Sequence, residues 1–508
     1  MGIEIERIEI WDQYEVKLLG PSTGNPFTQV QLTATFSMQH KTVSVTGFYD
    51  GEGVYRIRFM PQTTGIYHFT TESNCQQLAG ITGSFECIAA NEHNQGPVQV
   101  SDRYHFSYAT GKRYIPVGTT SYGWAHQQEA LATETLQTLA GSPFNKIRMC
   151  ILPHYSPYSE RHMVHYPFVG NAADGWNELE YNPLYFQMLE KRIMQLQQLG
   201  IEADLILFHP YNRQWGFDKL SPEADDAYIK YVMSRFASFR NVWWSIANEY
   251  DFMEHKTEAD WLRIGELVAE NNVYDQLLSI HNGFVLYEHW QPWITHVCMQ
   301  DGLAVTHPGR AVVLRNVYKK PIIYDEVCYE GNLRFRWGGL LAEQLVSRYW
   351  RGITEGTYVG HGEVLRASNQ GVDEVWTGIG GQLRGSSAER IQFYRDIMEA
   401  GPAEGMEPLD EWFQVGVAGK EGVYYLFYWE TPPKTWQFTI PGKDMLLQEG
   451  SKFQVDIINT WNMTIERIPE IFETVRQDDY SYGDIYNRQI VLPAKRYLAL
   501  RITACAER

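Results

Sequence analysis

The sequence predicts an α/β protein in which a central (β/α)8 TIM barrel lies between two β-sandwiches. Short strand-like segments precede residue 99 and return after residue 405. Between these positions, eight apolar segments alternate with amphipathic helices, a pattern typical of a parallel α/β arrangement. We therefore expect an N-terminal domain over residues 1–98, a barrel over 99–405 and a C-terminal domain over 406–508.

The N-terminal segment has the pattern of half-buried strands. Gln29–Phe36 and Val54–Phe59 alternate polar and apolar side chains, and Gly, Asn and Pro separate such segments. Regularly spaced short strands of this kind predict an immunoglobulin-like β-sandwich. Strand signals return in Gly422–Trp429 and Tyr497–Ile502, so we expect a second β-sandwich at the C-terminus.

The middle segment supplies eight strand candidates, the number that a closed barrel requires. Its helices have clear end signals: Ser221 and Pro222 suit the cap and first turn of one helix, and Gly200 suits the end of the helix before it. The strand candidates are Tyr114–Gly118, Lys146–Cys150, Ala203–Phe208, Val242–Ile246, Leu277–Ile280, Thr295–Met299, Ile322–Tyr324 and Thr357–Gly360.

Composition limits the partners of this 508-residue chain. The net charge of −18 disfavours nucleic acid and anionic membranes, because both are bound through clustered Lys and Arg. A neutral substrate fits better, although the acidity also suits a solvated surface with no role in binding. No run of about 18 apolar residues, no signal-peptide core and no zinc spacing among the six cysteines is found. We expect a cytoplasmic protein without a cofactor, and a homo-oligomer is compatible with the sequence.

Functional residues of a barrel follow the C-terminal ends of its strands. Polar and aromatic side chains are concentrated at these positions, including Tyr122 and Tyr211. The residues predicted to bind a substrate are Trp124, His126, His154, His209, Asn248, His281, Tyr329, His361, Glu363 and Trp376.

Two of the strand candidates end in carboxylates. Val242–Ala247 leads to Glu249, and Pro321–Tyr324 leads to Asp325 and Glu326. The fourth and seventh of eight strands lie across a barrel mouth, so Glu249 and Glu326 could face one sugar ring from opposite sides. A separation of about 5 to 5.5 Å would indicate a retaining glycosidase, and about 6.5 to 9.5 Å an inverting one. For either residue alone, a loop carboxylate that caps the next helix is the alternative.

Other residues compete for these roles. Asp325 directly precedes Glu326, so the two side chains should diverge and only one can reach a substrate. Asp251 suits a supporting or capping role. The histidines at the strand ends could bind a metal, but no HExxH motif or close His pair is present, so hydrogen bonds to sugar hydroxyls are the preferred interpretation.

The segments Trp244–Glu249 and Pro321–Glu326 resemble the strand-four and strand-seven motifs of the clan A retaining glycoside hydrolases. The order of sandwich, barrel and short C-terminal sandwich is similar to that of bacterial glycosidases related to apiosidases, over essentially the whole chain. The resemblance implies that Glu249 is the acid/base, Glu326 the nucleophile and Asn248 a hydrogen-bond partner of the sugar 2-hydroxyl. Such an acid needs a raised pKa, whereas the nucleophile must stay ionised among hydrogen-bond donors.

One position departs from the clan. Many of its members carry a Trp platform for the sugar at the end of strand eight, where this chain has Tyr358–Glu363. Trp376, Trp337 or Trp124 could provide the platform instead. Glu363 could bind sugar hydroxyls or form a salt bridge at the barrel rim.

The predicted function is that of a retaining glycoside hydrolase acting on a small saccharide. Exo action on short oligosaccharides is expected, because the long segments after strands two and three could close one end of the cleft. The alternatives are a non-catalytic carbohydrate-binding barrel protein and another barrel hydrolase or lyase, including a metal-dependent one.

Overall fold

The computed structural model describes residues 5–156, 163–302, 309–333, 336–366, 378–409, 416–442 and 447–505. It contains mixed α and β structure, with parallel strands concentrated in the middle segment and antiparallel strands in both flanks. Over the ranges described, none of the helices has the length and apolar character needed to cross a membrane. The cytoplasmic location stays a prediction.

The N-terminal segment folds into two β-sheets that pack face to face through aromatic rings. Phe36 stacks on Phe59 with ring centroids 4.2 Å apart, and Tyr14 stacks on Phe85 at 4.1 Å. The sheet orders are β1-β8-β7-β3-β4 and β2-β6-β5. The elements are β1 (Glu6–Glu9), β2 (Tyr14–Leu19), α1 (Pro26–Gln29), β3 (Leu32–Met38), β4 (Lys41–Thr46), β5 (Phe48–Tyr49), β6 (Val54–Phe59), β7 (Gly65–Ser73) and β8 (Thr82–Ile88).

A buried ion network joins these sheets to the middle segment. Arg58 donates hydrogen bonds to Glu190 and to the backbone oxygen of Arg235, the latter at 2.9 Å. The guanidinium of Arg235 lies 2.7 Å from Oδ1 of Asp50 and 2.6 Å from Oε1 of Glu190. All four side chains are buried, so each charge depends on a partner for the interactions that water would otherwise supply.

The middle segment alternates strands with helices. The strands are β9 (Val98–Ser101), β10 (His105–Tyr108), β11 (Arg113–Tyr114), β12 (Gly118–Thr120), β13 (Lys146–Cys150), β14 (Phe168–Asn171), β15 (Gly175–Tyr181), β16 (Glu202–Phe208), β17 (Val242–Ala247), β18 (Leu278–Ser279), β19 (Val297–Gln300), β20 (Ile322–Glu326), β21 (Tyr358–Val359), β22 (Leu365–Arg366) and β23 (Gln382–Leu383). The helices are α2 (Glu129–Ala140), α3 (Pro183–Gln198), α4 (Pro222–Phe236), α5 (Glu258–Asn271), α6 (Arg310–Tyr318), α7 (Ala342–Thr354) and α8 (Ser387–Glu399). Ser221 caps α4 as its sequence predicts, because its side chain accepts the N–H of Ala224.

Eight parallel strands form two sheets, β12-β13-β16-β17-β18 and β19-β20-β21. Strands β16 and β17 are buried at every position, as expected where both faces of a parallel sheet are covered. Backbone hydrogen bonds also bridge both gaps between the sheets. Thr295 N donates to Leu278 O at 2.9 Å on one side, and His361 N donates to Gly118 O at 2.8 Å on the other.

The first strand differs from its prediction. Arg113–Tyr114 pairs with β10 in a three-stranded antiparallel sheet, and the parallel strand begins only at Gly118. This antiparallel sheet packs beneath β17, where Phe106 lies 5.6 Å from the Trp243 ring. Residues 114 to 118 are therefore apolar because they are buried beneath the parallel strands, and most of them do not form part of a parallel strand.

The C-terminal segment contains one eight-stranded sheet and a two-stranded ribbon. The long strand β30 pairs with β29 along one part and with β31 along another, and the predicted C-terminal β-sandwich stays a prediction. Phe438 and Phe472 stack at 4.7 Å in its core. The strands are β24 (Glu407–Pro408), β25 (Val417–Lys420), β26 (Tyr424–Trp429), β27 (Thr435–Gln437), β28 (Thr439–Pro441), β29 (Lys452–Asn459), β30 (Thr464–Arg476), β31 (Ser481–Asp484), β32 (Gln489–Val491) and β33 (Leu498–Ala504).

Candidate active site

A cavity of about 640 Å³ lies at the ends of the parallel strands. Glu249, which follows β17, and Glu326, the last residue of β20, both line it. This volume falls within the range of about 300–1,000 Å³ typical of sites for small molecules.

Glu249 occupies an environment that favours its protonated form. Burial raises the pKa of its carboxyl to about 7, and the charge of Glu326 adds to this effect. Tyr211 donates a hydrogen bond to Oε2, and Gln300 donates to Oε1 from 3.1 Å. The side-chain nitrogen of Asn248 is 3.3 Å from Oε2.

The backbone of Glu249 is left-handed, with φ of 49° and ψ of 56°. This conformation is disfavoured for residues other than glycine and is often found at functional sites. It ends β17 abruptly and begins the short 3-10 helix Tyr250–Phe252.

Glu326 is surrounded by hydrogen-bond donors. Tyr122 donates to Oε1, and Tyr329 donates to Oε2 from 2.6 Å. Nη1 of Arg148 is 3.1 Å from Oε1, and Nε2 of His281 is 3.7 Å from the same oxygen. Both carboxylate oxygens of Glu326 therefore accept hydrogen bonds from the cavity wall.

Asp325 points away from the cavity. Its Oδ1 accepts a hydrogen bond from Lys146 at 2.7 Å, and its Oδ2 accepts one from the Cys298 thiol at 3.0 Å. Lys146 holds the pKa of the Asp325 carboxyl well below its usual range. The two neighbouring carboxylates of β20 thus diverge, because successive strand side chains face opposite ways.

Glu363 is a third carboxyl group in the cavity wall. Burial raises its pKa to about 8, and the charge of Glu326 adds to the effect. The side chain is buried, and a hydrogen bond with the backbone of Gly378 only partly offsets this rise of the pKa. At neutral pH this group is therefore mostly a neutral carboxylic acid.

Three of the residues predicted to bind a substrate line the cavity, namely His154, Tyr329 and Glu363. His154 stacks on Tyr122 with ring centroids 4.9 Å apart. Of the platform candidates, Trp337 also lines the cavity. Trp376 lies outside the described residues.

Six other predicted residues lie behind the cavity wall as the structure describes it. They are Trp124, His126, His209, Asn248, His281 and His361, and all six are buried. Each of the four histidines contacts another group of the fold through a ring nitrogen: His126 contacts Ile151 O at 3.1 Å, and His361 contacts Thr119 Oγ1 at 3.3 Å. Burial lowers the pKa of both rings to about 3, so they are neutral.

Sequence reasoning assigned no role to four residues that contact the two carboxylates. Tyr122 and Tyr211 were among the side chains selected by their position after strand ends, but their contacts with the carboxylates were not predicted. Arg148 lies inside β13 and Gln300 ends β19, and the sequence pattern of these strands predicts only that they belong to the barrel interior.

Within the described ranges, no group of three or more His, Cys, Asp or Glu side chains is placed to hold a metal ion.

Solved structures with similar folds include glycoside hydrolases. One described as a "putative glycoside hydrolase" from Bacteroides vulgatus ATCC 8482 is 40% identical with a TM-score of 0.93, over 98% of this chain and 100% of that one. A glycoside hydrolase of family 5 from the same bacterium is 13% identical with a TM-score of 0.58, over 80% of this chain and 93% of that one, a likeness of fold alone. No curated protein matches the chain.

The fold and these relatives define the class of the protein as glycoside-hydrolase-like. Residues 100–403 match the model of the Apiosidase-like catalytic domain, and the chain belongs to that family. The flanks match two domains of unknown function, DUF5060 over residues 7–74 and DUF5605 over residues 412–503.

Proposed function

We propose that this protein is a retaining glycoside hydrolase in which Glu249 is the acid/base and Glu326 the nucleophile. The observation that carries the proposal is that both carboxyl groups line one cavity in opposite environments. Glu249 has a pKa raised to about 7, whereas donors surround Glu326. Divergent environments of this kind separate an acid from a nucleophile in glycosidases.

The reaction follows from these roles. An oxygen of Glu326 attacks the anomeric carbon and forms a glycosyl ester, while the bond to the leaving oxygen breaks and that oxygen takes the proton of Glu249. Glu249 then removes a proton from water, whose oxygen attacks the same carbon. The sugar leaves with its configuration retained, Glu326 is again a carboxylate and Glu249 is again protonated.

The proposal includes a closed (β/α)8 barrel, supported by the hydrogen bonds at both gaps between the parallel sheets. It also includes exo action on a short oligosaccharide, which the modest volume of the cavity favours. The remaining predicted contacts to the sugar, among them Asn248 and His154, belong to the same proposal.

A covalent label tests the assignment. A panel of 4-nitrophenyl glycosides first identifies the sugar with the highest rate, and the 2-deoxy-2-fluoro derivative of that sugar with an activated leaving group is then incubated with the protein. We expect one label per chain, on the peptide that contains Glu326, and none in Glu326→Gln. Glu254→Gln, at an exposed site outside the cavity, is the matched control and should be labelled normally.

Other outcomes would favour the alternatives. A label on another carboxylate would contradict the assignment of Glu326. A product of inverted configuration would contradict the retaining mechanism. If the wild type, Glu249→Gln and Glu326→Gln all bind the sugar equally well and none turns it over, the protein is a binding protein. Loss of activity on chelation would indicate a metal-dependent enzyme.

A further inference from the structure

The cavity is lined by both polar and apolar side chains. Around Glu326, the groups that face the cavity are hydroxyls, an imidazole and a carboxyl, from Tyr122, Tyr329, His154 and Glu363. The lining also contains the Asp301–Arg310 ion pair and five apolar side chains, those of Phe252, Phe284, Leu286, Met299 and Leu314.

The loop that carries Phe284 is fixed relative to Glu249. Both carboxylate oxygens of Asp251 accept backbone N–H groups of this loop, from Gly283, from Phe284 at 2.7 Å and from Val285 at 2.9 Å. The side-chain nitrogen of Gln300 bridges Oε1 of Glu249 at 3.1 Å and the backbone oxygen of Gly283 at 3.0 Å. Bonds to a charged acceptor are among the stronger hydrogen bonds, so this loop is held in place before any ligand binds.

Phe284 is nevertheless 86% exposed. Its ring lies 5.2 Å from the Phe252 ring, and the two planes are inclined at 61°. Phe252 in turn covers Gly283, where a Cβ would stand 2.5 Å from the Phe252 ring. A rigid loop that presents a phenyl ring to solvent at the edge of a cavity is suited to ligand binding, because exposure of that ring contributes nothing to folding.

We propose that Phe252 and Phe284 form the leaving-group subsite, where they stack on the apolar face of a ring attached to the leaving oxygen. The proposal rests on the proposed function, since an acid that protonates the leaving oxygen must lie beside the leaving group. The polar groups around Glu326 then surround the ring whose anomeric carbon is attacked. An aromatic aglycone and a sugar ring share the required chemistry, a flat apolar face.

Substrates with the same sugar and different leaving groups test this subsite. For the sugar identified in the aryl glycoside panel, kcat/KM is measured with the 4-nitrophenyl glycoside, with a disaccharide and with the glycosyl fluoride. Fluoride is too small to reach the subsite. The variants are Phe284→Ala, Phe284→Trp and Val285→Ala, the last an exposed neighbour in the same loop whose side chain does not line the cavity.

Phe284→Ala should lower kcat/KM about tenfold for ring-bearing substrates, as expected for one lost ring contact, and leave the glycosyl fluoride unchanged. Phe284→Trp and Val285→Ala should both keep the kcat/KM of the wild type on all three substrates. A loss confined to the 4-nitrophenyl glycoside would identify aromatic aglycones as the occupants, and a loss that includes the disaccharide would identify sugar rings.

Equal losses on the fluoride and the ring-bearing substrates would overturn the subsite, as would no loss on any of them. Those results leave the proposed function intact, because the enzyme still turns over its substrates. If the wild type hydrolyses none of the three substrates, the proposed function is overturned, and this proposal with it.

Discussion

Lys146 and Asp325 form a buried ion pair in which Nζ lies 2.7 Å from Oδ1. The same ammonium group lies 2.7 Å from Oδ2 of Asp204, so one cation lies between two carboxylates that water does not reach. Because Asp325 directly precedes Glu326 in β20, this pair also fixes the strand end that presents Glu326 to the cavity.

Lys146→Met should destabilise the fold strongly. Removing the cation takes the nearest positive charge from two buried carboxylates, and breaking a buried ion pair typically costs about 3–5 kcal/mol. Lys191→Met is the matched control, because Lys191 pairs with Glu129 at 2.8 Å with both side chains more than half exposed, and it should cost less than about 1 kcal/mol. Urea unfolding measures both, and similar losses for the two variants would contradict the importance of the buried pair.

Tyr211→Phe should shift the pH dependence of activity. The Tyr211 hydroxyl stabilises the Glu249 carboxylate and so lowers its pKa, which burial and Glu326 raise to about 7. Without this hydroxyl the pKa rises further, and the alkaline limb of kcat/KM for a substrate that needs acid catalysis moves to higher pH. Tyr480→Phe, at an exposed position in the C-terminal segment, should leave the limb unmoved.

The profile with a glycosyl fluoride is the second control. Fluoride leaves without a proton, so its alkaline limb should not follow Tyr211→Phe. A limb that shifts equally for both substrates would assign the titration to a group other than Glu249.

Arg148→Lys should lower kcat about 100-fold, the size of effect seen when one preorganised donor is lost from an active site. The Arg148 guanidinium spans Oε1 of Glu326 at 3.1 Å and Oδ1 of Asn248 at 3.0 Å, and an ammonium group does not reproduce this fork. The rate of covalent labelling by the fluorosugar should fall in parallel. Arg263→Lys, on the surface of α5, should leave both rates unchanged, and a normal labelling rate in Arg148→Lys would argue against its role.

Glu363→Gln should change how stability depends on pH. The folded pKa of Glu363 is about 8 against an ordinary value of 4.5, so the folded state keeps its proton after the unfolded chain has lost it. Its contribution to stability is therefore complete below about pH 4.5 and is lost as the pH rises through 8. The glutamine variant lacks this loss, so between pH 5 and 8 its free energy of unfolding should fall less steeply than that of the wild type.

Glu466→Gln, on an exposed part of β30, should keep the wild-type slope. Parallel pH profiles for Glu363→Gln and the wild type would mean that Glu363 is ionised in the folded protein at neutral pH.

The sequence was most informative where one physical rule acts locally. A short run of residues such as Val242–Ala247, which is buried at every position, can be recognised as a parallel strand from the sequence. In the same way, Ser221 and Pro222 indicate the start of α4. The short strand Leu278–Ser279 was located to within one residue at each end, because the polar residues Gln276 and His281 bound the short segment that contains it.

The candidate site was less accessible to sequence reasoning. Whether a histidine at a strand end faces the cavity or the fold depends on which acceptor it meets, and His209 meets Leu152 O at 3.2 Å, far along the chain. In the sequence, Arg148 is one of two cationic residues of β13, and only the fold shows that it lies beside Glu326 and Asn248. Phe284 carries no pattern, since its importance lies in the exposure of its ring.

The ion network of Arg58, Asp50, Glu190 and Arg235 makes the first sheets inseparable from the catalytic part of the chain. A truncated protein that began near residue 99 would contain Glu190 and Arg235 but neither Asp50 nor Arg58, and the exposed seam would carry an incomplete set of charges. The N-terminal sheets are thus not an exchangeable module, although residues 7–74 and 100–403 match different families. A natural or engineered replacement of that domain must supply residues equivalent to Asp50 and Arg58, or the network must be redesigned.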